Sequence, residues 1–178
     1  MPSPVGHVIA GIAAGWLVAG RPRGSAWRQA AAREALIFGA LGALPDVDLL
    51  VGAHSGPTHS IGAAAIVAMV VWLAGAGLGI RRGLVGAAAC FAAYGSHVLL
   101  DWLATDSSPP IGIMALWPFS RQYYESDVHV FLAISRRYAH GWSFVRQNLI
   151  AIAREIAILV PVVTIVAFAR RRRPGESG

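Results

Sequence analysis

Histidine and aspartate recur in this sequence at short spacings beside apolar segments. The sharpest case is G-S-H-V-L-L-D, in which His97 and Asp101 stand four residues apart. On a helix, that spacing puts both side chains on one face. Two ligands from one rigid helix suit Zn²⁺ or a similar cation, although a His hydrogen-bonded to an Asp for purely structural reasons would give the same pattern.

Two further motifs carry the same side-chain types. L-P-D-V-D places Asp46 and Asp48 just beyond an expected helix end. Helix capping would explain one of these carboxylates more easily than two. It is also less favourable here because the helix dipole disfavours negative charge at a C-terminus. H-S-G-P-T-H-S places His54 and His59 on a Gly-Pro turn that leads into an apolar segment. His7 lies near the start of the first apolar stretch and is weak evidence alone.

The composition indicates that the elements around these residues lie in a membrane. Hydrophobic residues make up 56% of the chain and charged residues 13%, with a mean hydropathy of +0.56; an average soluble domain has about 25% charged residues. The net charge of +6 could suggest a nucleic-acid partner. Most of the Arg residues, however, lie in groups beside apolar segments, which favours membrane anchoring and no nucleic acid.

Three segments have the length and apolar character of membrane-spanning helices, namely 61–80, 84–104 and 149–169. Residues 5–20 and 31–44 are apolar but short, and could be short spans or half-buried helices. Pro45 disfavours helical geometry at Leu44, so the second of these helices should end there. The stretch 128–145 predicts an interfacial helix after a Pro-containing loop. The predicted fold is therefore all-α, a single domain over 1–178 with about five membrane-embedded helices and one interfacial helix.

The positions of the Arg groups predict how this bundle is oriented. If the chain crosses the membrane five times, Arg21, Arg23 and Arg28, then Arg81 and Arg82, then the run 170–173 all fall on one side, which should be the cytoplasm. The same threading brings the candidate residues to the opposite, extracytoplasmic face: His7, Asp46, Asp48, His54, His59, His97 and Asp101. Ionisable groups in membrane segments rarely lack a function, so their convergence indicates a site.

The motif series H-V-I-A-G-I, A-L-P-D-V-D, H-S-G-P-T-H-S, G-S-H-V-L-L-D-W and A-L-W-P-F-S resembles the YdjM-type family of bacterial inner-membrane metal-dependent hydrolases. The motifs follow the family order from His7 to Ser120. More distantly, the series is similar to the all-helical zinc-dependent phospholipase C and nuclease group. This resemblance implies one or two zinc-like ions and a set of five ligands: His7, Asp46, His59, His97 and Asp101.

The implied activity is hydrolysis of a phosphoester or lipid-linked substrate by metal-activated water. Asp48 is the candidate base or positioning group, and His54 could donate a proton or contact an oxyanion. Trp117 and Arg121 could form the rim of the substrate site, although an aromatic belt explains Trp117 equally well. A position near the lipid surface makes a phospholipid or lipid-linked phosphate the natural substrate.

Two departures from the related families limit the comparison. Family members often have Arg directly after the first His of the turn motif, where this chain has Ser55. The phospholipase group completes a further zinc site with a Glu four residues beyond a later His, whereas His140 is followed at that spacing by Phe144. We therefore expect no such extra site.

Two rival classes remain open on the sequence alone. One is an ion or solute transporter, although transporter sites usually lie near the bilayer midplane in broken, repeated helices. The other is a non-catalytic membrane protein with a structural metal, which four protein ligands and no open coordination position would favour.

Overall fold

The computed structural model describes residues 1–22, 24–51, 55–74, 83–106, 109–135 and 141–172. Over these residues the chain is helical, without a named strand, and two isolated β-bridges join Ala104 to Phe131 and Ile113 to Tyr124. The elements in order are α1 (Pro4–Ala19), α2 (Trp27–Ala43), a 3-10 helix (Leu44–Val51), α3 (Ile61–Ala74), α4 (Leu84–Trp102) and α5 (Trp142–Arg172). The all-α prediction is confirmed.

The prediction of about five membrane-embedded helices needs correction. Among the described residues, two helices are long and apolar enough to cross a membrane, Leu84–Trp102 and Trp142–Arg171. Helix α1 is apolar but has 16 residues, so at about 1.5 Å per residue it falls short of a ~30 Å hydrocarbon core. Helix α3 is apolar over Ile61–Ala74, and the rest of the predicted span 61–80 lies outside the described residues. Helix α2 carries Arg28, Arg33 and Glu34, which dilute its apolar character.

The predicted interfacial helix over 128–145 is wrong for the part that the structure describes. Residues 128–135 are not helical, and Trp142 already belongs to α5. The backbone N–H groups of Val130 and Phe131 instead donate to the carbonyl of Leu103, at the end of α4. This segment therefore closes over the end of the bundle because it finds its hydrogen-bond partners in α4.

Small residues allow α1 and α2 to cross in close contact. A Cβ atom on Gly11 would lie 2.4 Å from the carbonyl oxygen of Phe38, and one on Gly42 would lie 2.3 Å from that of His7. Such backbone contact is typical of helix pairs in membranes, where packing drives association more than burial does. The crossing brings the start of α1 beside the end of α2, and so places His7 next to the 3-10 helix.

Helix α5 runs parallel to α1 and is bonded to both of its ends. At one end, the buried carboxylate of Glu155 accepts hydrogen bonds from the backbone N–H, at 2.8 Å, and from the hydroxyl of Ser3, the N-cap residue of α1. At the other end, Arg170 donates to the carbonyl of Gly20. A carboxylate beside a helix N-terminus is stabilised by the helix dipole, so Glu155 helps to fix the turn that carries His7.

Candidate metal centre

Five of the predicted residues meet in one buried cluster. His7 comes from the first turns of α1, Asp46 from the 3-10 helix, His59 from the loop before α3, and His97 and Asp101 from the last turns of α4. The side chains of His59, His97 and Asp101 are fully buried and that of His7 is 1% exposed, whereas that of Asp46 is 18% exposed. Solvent therefore reaches the cluster on the Asp46 side.

The carboxylate of Asp101 joins the three histidines. Its Oδ1 lies 3.3 Å from Nε2 of His7, and its Oδ2 lies 3.1 Å from Nε2 of His97 and 3.5 Å from Nε2 of His59. The rings of His7 and His97 stack with centroids 3.6 Å apart. One oxygen thus faces each side of the cluster, an arrangement that a bridging carboxylate requires.

Asp46 completes the cluster from the solvent side. Its Oδ1 lies 3.7 Å from Nε2 of His59 and 3.8 Å from Nε2 of His97. Two groups of three potential ligands share His97, His7–His97–Asp101 and Asp46–His59–His97, and within each group the ligand atoms lie within 4.8 Å of one another. The cluster therefore has enough donors for one or two ions.

The spacing of these atoms fits a tetrahedral cation. Ligand atoms about 2.0–2.2 Å from zinc lie roughly 3.3–3.6 Å from one another. The nitrogen–oxygen distances of 3.1 to 3.8 Å around Asp101 and Asp46 bracket that range. Both ring nitrogens of His7, Nε2 of His97 and both oxygens of Asp101 are buried without a hydrogen bond to any described residue. Each such atom costs about 1–3 kcal/mol if left unpaired, so the cluster fits a bound ion.

A backbone contact orients His97. Its Nδ1 lies 2.7 Å from the carbonyl oxygen of Gly42. Because a carbonyl oxygen only accepts hydrogen bonds, Nδ1 must carry the proton and Nε2 is left with a lone pair. Metal-binding histidines are commonly fixed in this way by a carbonyl or carboxylate behind the ring. The lone pair of Nε2 points toward Asp101 and Asp46, at the centre of the cluster.

Asp48 stands behind His59 instead of at the centre. Its Oδ2 lies 3.2 Å from Nδ1 of His59 and accepts a hydrogen bond of 2.7 Å from the hydroxyl of Thr58. The hydroxyl of Tyr94 in turn donates to the Thr58 carbonyl at 2.7 Å. The arrangement is that of a carboxylate–histidine pair that presents the opposite ring nitrogen to a metal. The geometry thus favours the positioning role among the two predicted for Asp48.

The carboxylates make the cluster favourable for positive charge. Burial lowers the pKa of His59, but the nearby carboxylates of Asp46 and Asp48 outweigh burial and raise the pKa to about 9. Burial likewise raises the pKa of Asp46, yet His59 and the charges of His97 and His7 hold it below its usual value. A cation at the centre would be stabilised by the same carboxylates, and would displace the proton from His59.

The profile of the YdjM inner membrane protein family matches residues 1–174. The chain belongs to this family. Comparison with curated proteins and with solved structures finds no match. Membership agrees with the resemblance seen in the sequence motifs and makes this chain a member of an inner-membrane protein family. The likeness to the phospholipase and nuclease group stays a prediction.

The other predicted residues are not among the potential metal ligands of the cluster or fall outside the described part of the chain. His54 falls outside the described residues. Trp117 lies beside the first turn of α3, where its carbonyl accepts from the N–H of Gly62 at 3.1 Å, and Arg121 is exposed. Their role as a substrate rim stays a prediction.

Sequence reasoning did not identify three residues that position the cluster: Gly42, Tyr94 and Glu155. Glu155 leaves a signal in the sequence, because it is a lone acidic residue inside the apolar segment 149–169, and such residues are usually functional. Tyr94 stands three residues before His97 and so shares its helix face. Gly42 leaves no distinctive signal among the many glycines of the chain.

We expect Gly42→Ala to destabilise the protein and to weaken metal binding. The added methyl group would overlap the His7 carbonyl and would push α1 away from the carbonyl that orients His97. Overpacking of this kind typically costs about 1–3 kcal/mol, which thermal unfolding in detergent can measure. Gly95→Ala is the matched control, since a Cβ at that position in α4 meets nothing within 4 Å. Equal stability of the two variants would contradict the prediction.

Proposed function

We propose that this chain is a membrane-bound metal-dependent hydrolase whose zinc-like cation, one ion or two, is held by His7, Asp46, His59, His97 and Asp101. The observation that carries the proposal is the set of buried atoms without a hydrogen-bond partner on His7, His97 and Asp101, three residues whose potential ligand atoms lie within 4.8 Å of one another. Three carboxylates and three imidazoles at the end of a largely apolar bundle would be costly without a cation.

The residues around the cluster suit hydrolysis. A cation bound there would lower the pKa of a coordinated water and supply a nucleophile near neutral pH. The Gly42 carbonyl and Asp48 hold the rings of His97 and His59 in fixed orientations, which keeps the site rigid. Asp46, the most exposed member of the cluster, marks the side from which water and substrate approach. A phosphoester in a phospholipid or lipid-linked molecule is the substrate class that this membrane location favours.

We further propose that the chain crosses the inner membrane more than once, with α4 and α5 as membrane-spanning helices, and that the site opens on the extracytoplasmic side. The support is the separation of charge along the bundle. The His and Asp cluster lies at one end, whereas Arg21, Arg28, Arg170 and Arg171 line a cleft at the other. Arg-rich ends of inner-membrane proteins face the cytoplasm.

A reporter fused after Arg173 tests this orientation. Because α5 ends among the Arg residues, we expect a fusion that is active only in the cytoplasm to be active, and one that needs export to be inactive. A second pair of fusions in the loop after α4, near Ser120, should give the opposite result. The reverse pattern would place the site inside the cell.

Metal analysis and turnover on the same preparation test the proposed activity. We expect the detergent-purified full chain to hold about one or two zinc ions and to cleave a member of a panel of phosphodiester and phospholipid substrates. Chelation should abolish turnover, and added zinc should restore it. Absence of both zinc and turnover would refute the proposal.

A non-catalytic protein with a structural metal is the second candidate. The observation in its favour is burial, because four of the five proposed ligand side chains are at most 1% exposed. Stoichiometric zinc that stabilises the fold, without turnover of any substrate in the panel, would support this alternative.

A further inference from the structure

A second polar site lies at the end of the bundle opposite the metal centre. It is a cleft of about 570 Å³ between α1, α2 and α5. Helices α2 and α5 each pack against α1. An ion pair between Arg170 of α5 and Glu34 of α2, at 2.6 Å, joins α2 to α5. Nothing in the proposed hydrolase chemistry uses this cleft.

One face of α2 and one face of α5 line the cleft. Along both helices, the lining residues change from arginine near the end of the bundle to alanine farther from it. Helix α2 contributes Arg28, then Ala31, Ala32 and Ala35, at spacings that share one helix face. Helix α5 contributes Arg171 and Arg170 near its end and Ala167 one turn deeper. The alanines are small, which leaves space between the helices instead of filling it.

The mouth of the cleft carries a concentration of positive charge and indole rings. Arg21, Arg28, Arg170 and Arg171 line it together with Trp16 and Trp27. The guanidinium of Arg21 stands 5.0 Å from the ring centre of Trp27, and that of Arg28 5.6 Å from the same ring. Stacking on the indole helps to hold these guanidinium groups in place, and Arg21 also donates to the carbonyl of Arg171 at 3.3 Å. Guanidinium groups suit recognition of phosphate.

The surroundings of the cleft are apolar and exposed, as expected of a surface that faces lipid chains. On the neighbouring turns Leu17 is 63% exposed, Leu36 76% and Ile165 68%. A soluble phosphate would use the arginines alone. A phospholipid would contact both the arginines and the apolar surface. Its phosphate would lie at the arginines, and its acyl chains would lie along the alanines and the exposed apolar side chains.

We propose that the cleft between α1, α2 and α5 binds the headgroup of one anionic phospholipid, with Arg28 and Arg171 contacting its phosphate. Arg170 remains bonded to Glu34 and Gly20 and joins the helices beneath the headgroup. Trp16 and Trp27 flank the glycerol region, where indole rings are favoured at a membrane surface. The bound lipid links α5 to α1 and α2 at the end of the bundle remote from the metal centre.

Lipid retention by the purified full chain tests this proposal. Protein stripped of endogenous lipid is titrated in detergent with phosphatidylglycerol and, separately, with phosphatidylcholine, and the bound lipids are counted by native mass spectrometry. We expect one phosphatidylglycerol to be retained preferentially. Loss of one charged hydrogen-bonding partner should weaken retention about tenfold, so Arg28→Gln combined with Arg171→Gln should lower it by about 100-fold.

Two further variants separate a defined site from general attraction to anionic lipid. Arg33→Gln removes one positive charge, as each of the two cleft substitutions does, from an exposed position of α2 outside the cleft, and should leave retention unchanged. Ala32→Phe keeps every arginine but fills the cleft, and should reduce retention. All variants should melt at the wild-type temperature in phosphatidylcholine, because none removes the Arg170–Glu34 pair.

Several results would contradict the proposed lipid site. Equal loss of retention in Arg33→Gln, or full retention in the Ala32→Phe variant, would show that the charge attracts lipid without a site. Equal binding of phosphatidylglycerol and phosphatidylcholine would also overturn the proposal. If inorganic phosphate at millimolar concentration raises the melting temperature as much as phosphatidylglycerol does, the ligand is free phosphate and the lipid assignment is wrong.

Discussion

Asp101→Asn is expected to abolish zinc binding and, with it, turnover. The carboxylate faces all three histidines of the cluster, at 3.1 to 3.5 Å, so an amide at this position replaces an anionic oxygen with a hydrogen-bond donor at the centre of the site. Loss of even a supporting contact commonly costs 10- to 100-fold in metal affinity. We expect the loss here to exceed about 100-fold, the upper end of that range.

Thermal unfolding with and without zinc gives a readout independent of substrate. A ligand present at about 100 times its dissociation constant stabilises the folded state by roughly 2.7 kcal/mol, so zinc should raise the melting temperature of the wild type. The Asp101→Asn variant should show no such shift. Asp127→Asn, an exposed change of the same type, should keep both the shift and the zinc content. A normal zinc response in Asp101→Asn would remove Asp101 from the ligand set.

The sequence predicts that the cluster residues converge, because successive apolar helices run in opposite directions and their ends therefore meet at the same end of the bundle. Once α1, α2 and α4 are recognised, His7 at the start of one helix and Asp46 and His97 at the ends of two others must lie at the same end of the bundle. The four-residue spacing of His97 and Asp101 fixes their common face. These predictions depend only on helix direction and period.

Other features depend on tertiary contacts that no local pattern encodes. The segment from Val128 has helix-compatible residues, yet its backbone bonds to Leu103 at the end of α4, and that partner is invisible to periodicity. The 3-10 helix after Ala43 likewise continues through Pro45, beyond the point where Pro ends the α-helix. Apolar composition alone does not separate a membrane span from a buried core helix, so it predicts more membrane-embedded helices than the two long apolar helices found among the described residues.

The sequence leaves two roles open for Asp48, and the structure favours one of them. The sequence predicts a base or a positioning group beside the ligand Asp46. In the structure, Asp48 contacts Nδ1 of His59 and the Thr58 hydroxyl, on the side of the imidazole ring remote from Nε2. A base would need direct access to the water that reacts.

Asp48→Asn should therefore weaken zinc binding about 10- to 100-fold, the usual effect of losing the carboxylate behind a metal-bound histidine, and saturating zinc should restore most of the activity. An amide keeps the size of the side chain but holds His59 less firmly in the orientation that presents Nε2. Zinc titration and turnover on one preparation distinguish this from base catalysis. If Asp48 is the base, activity stays 10²- to 10⁴-fold low even when the site is full of zinc. Thr58→Val provides the control, because it removes the neighbouring hydroxyl while leaving the Asp48–His59 contact, and should cause a smaller change in zinc affinity than Asp48→Asn.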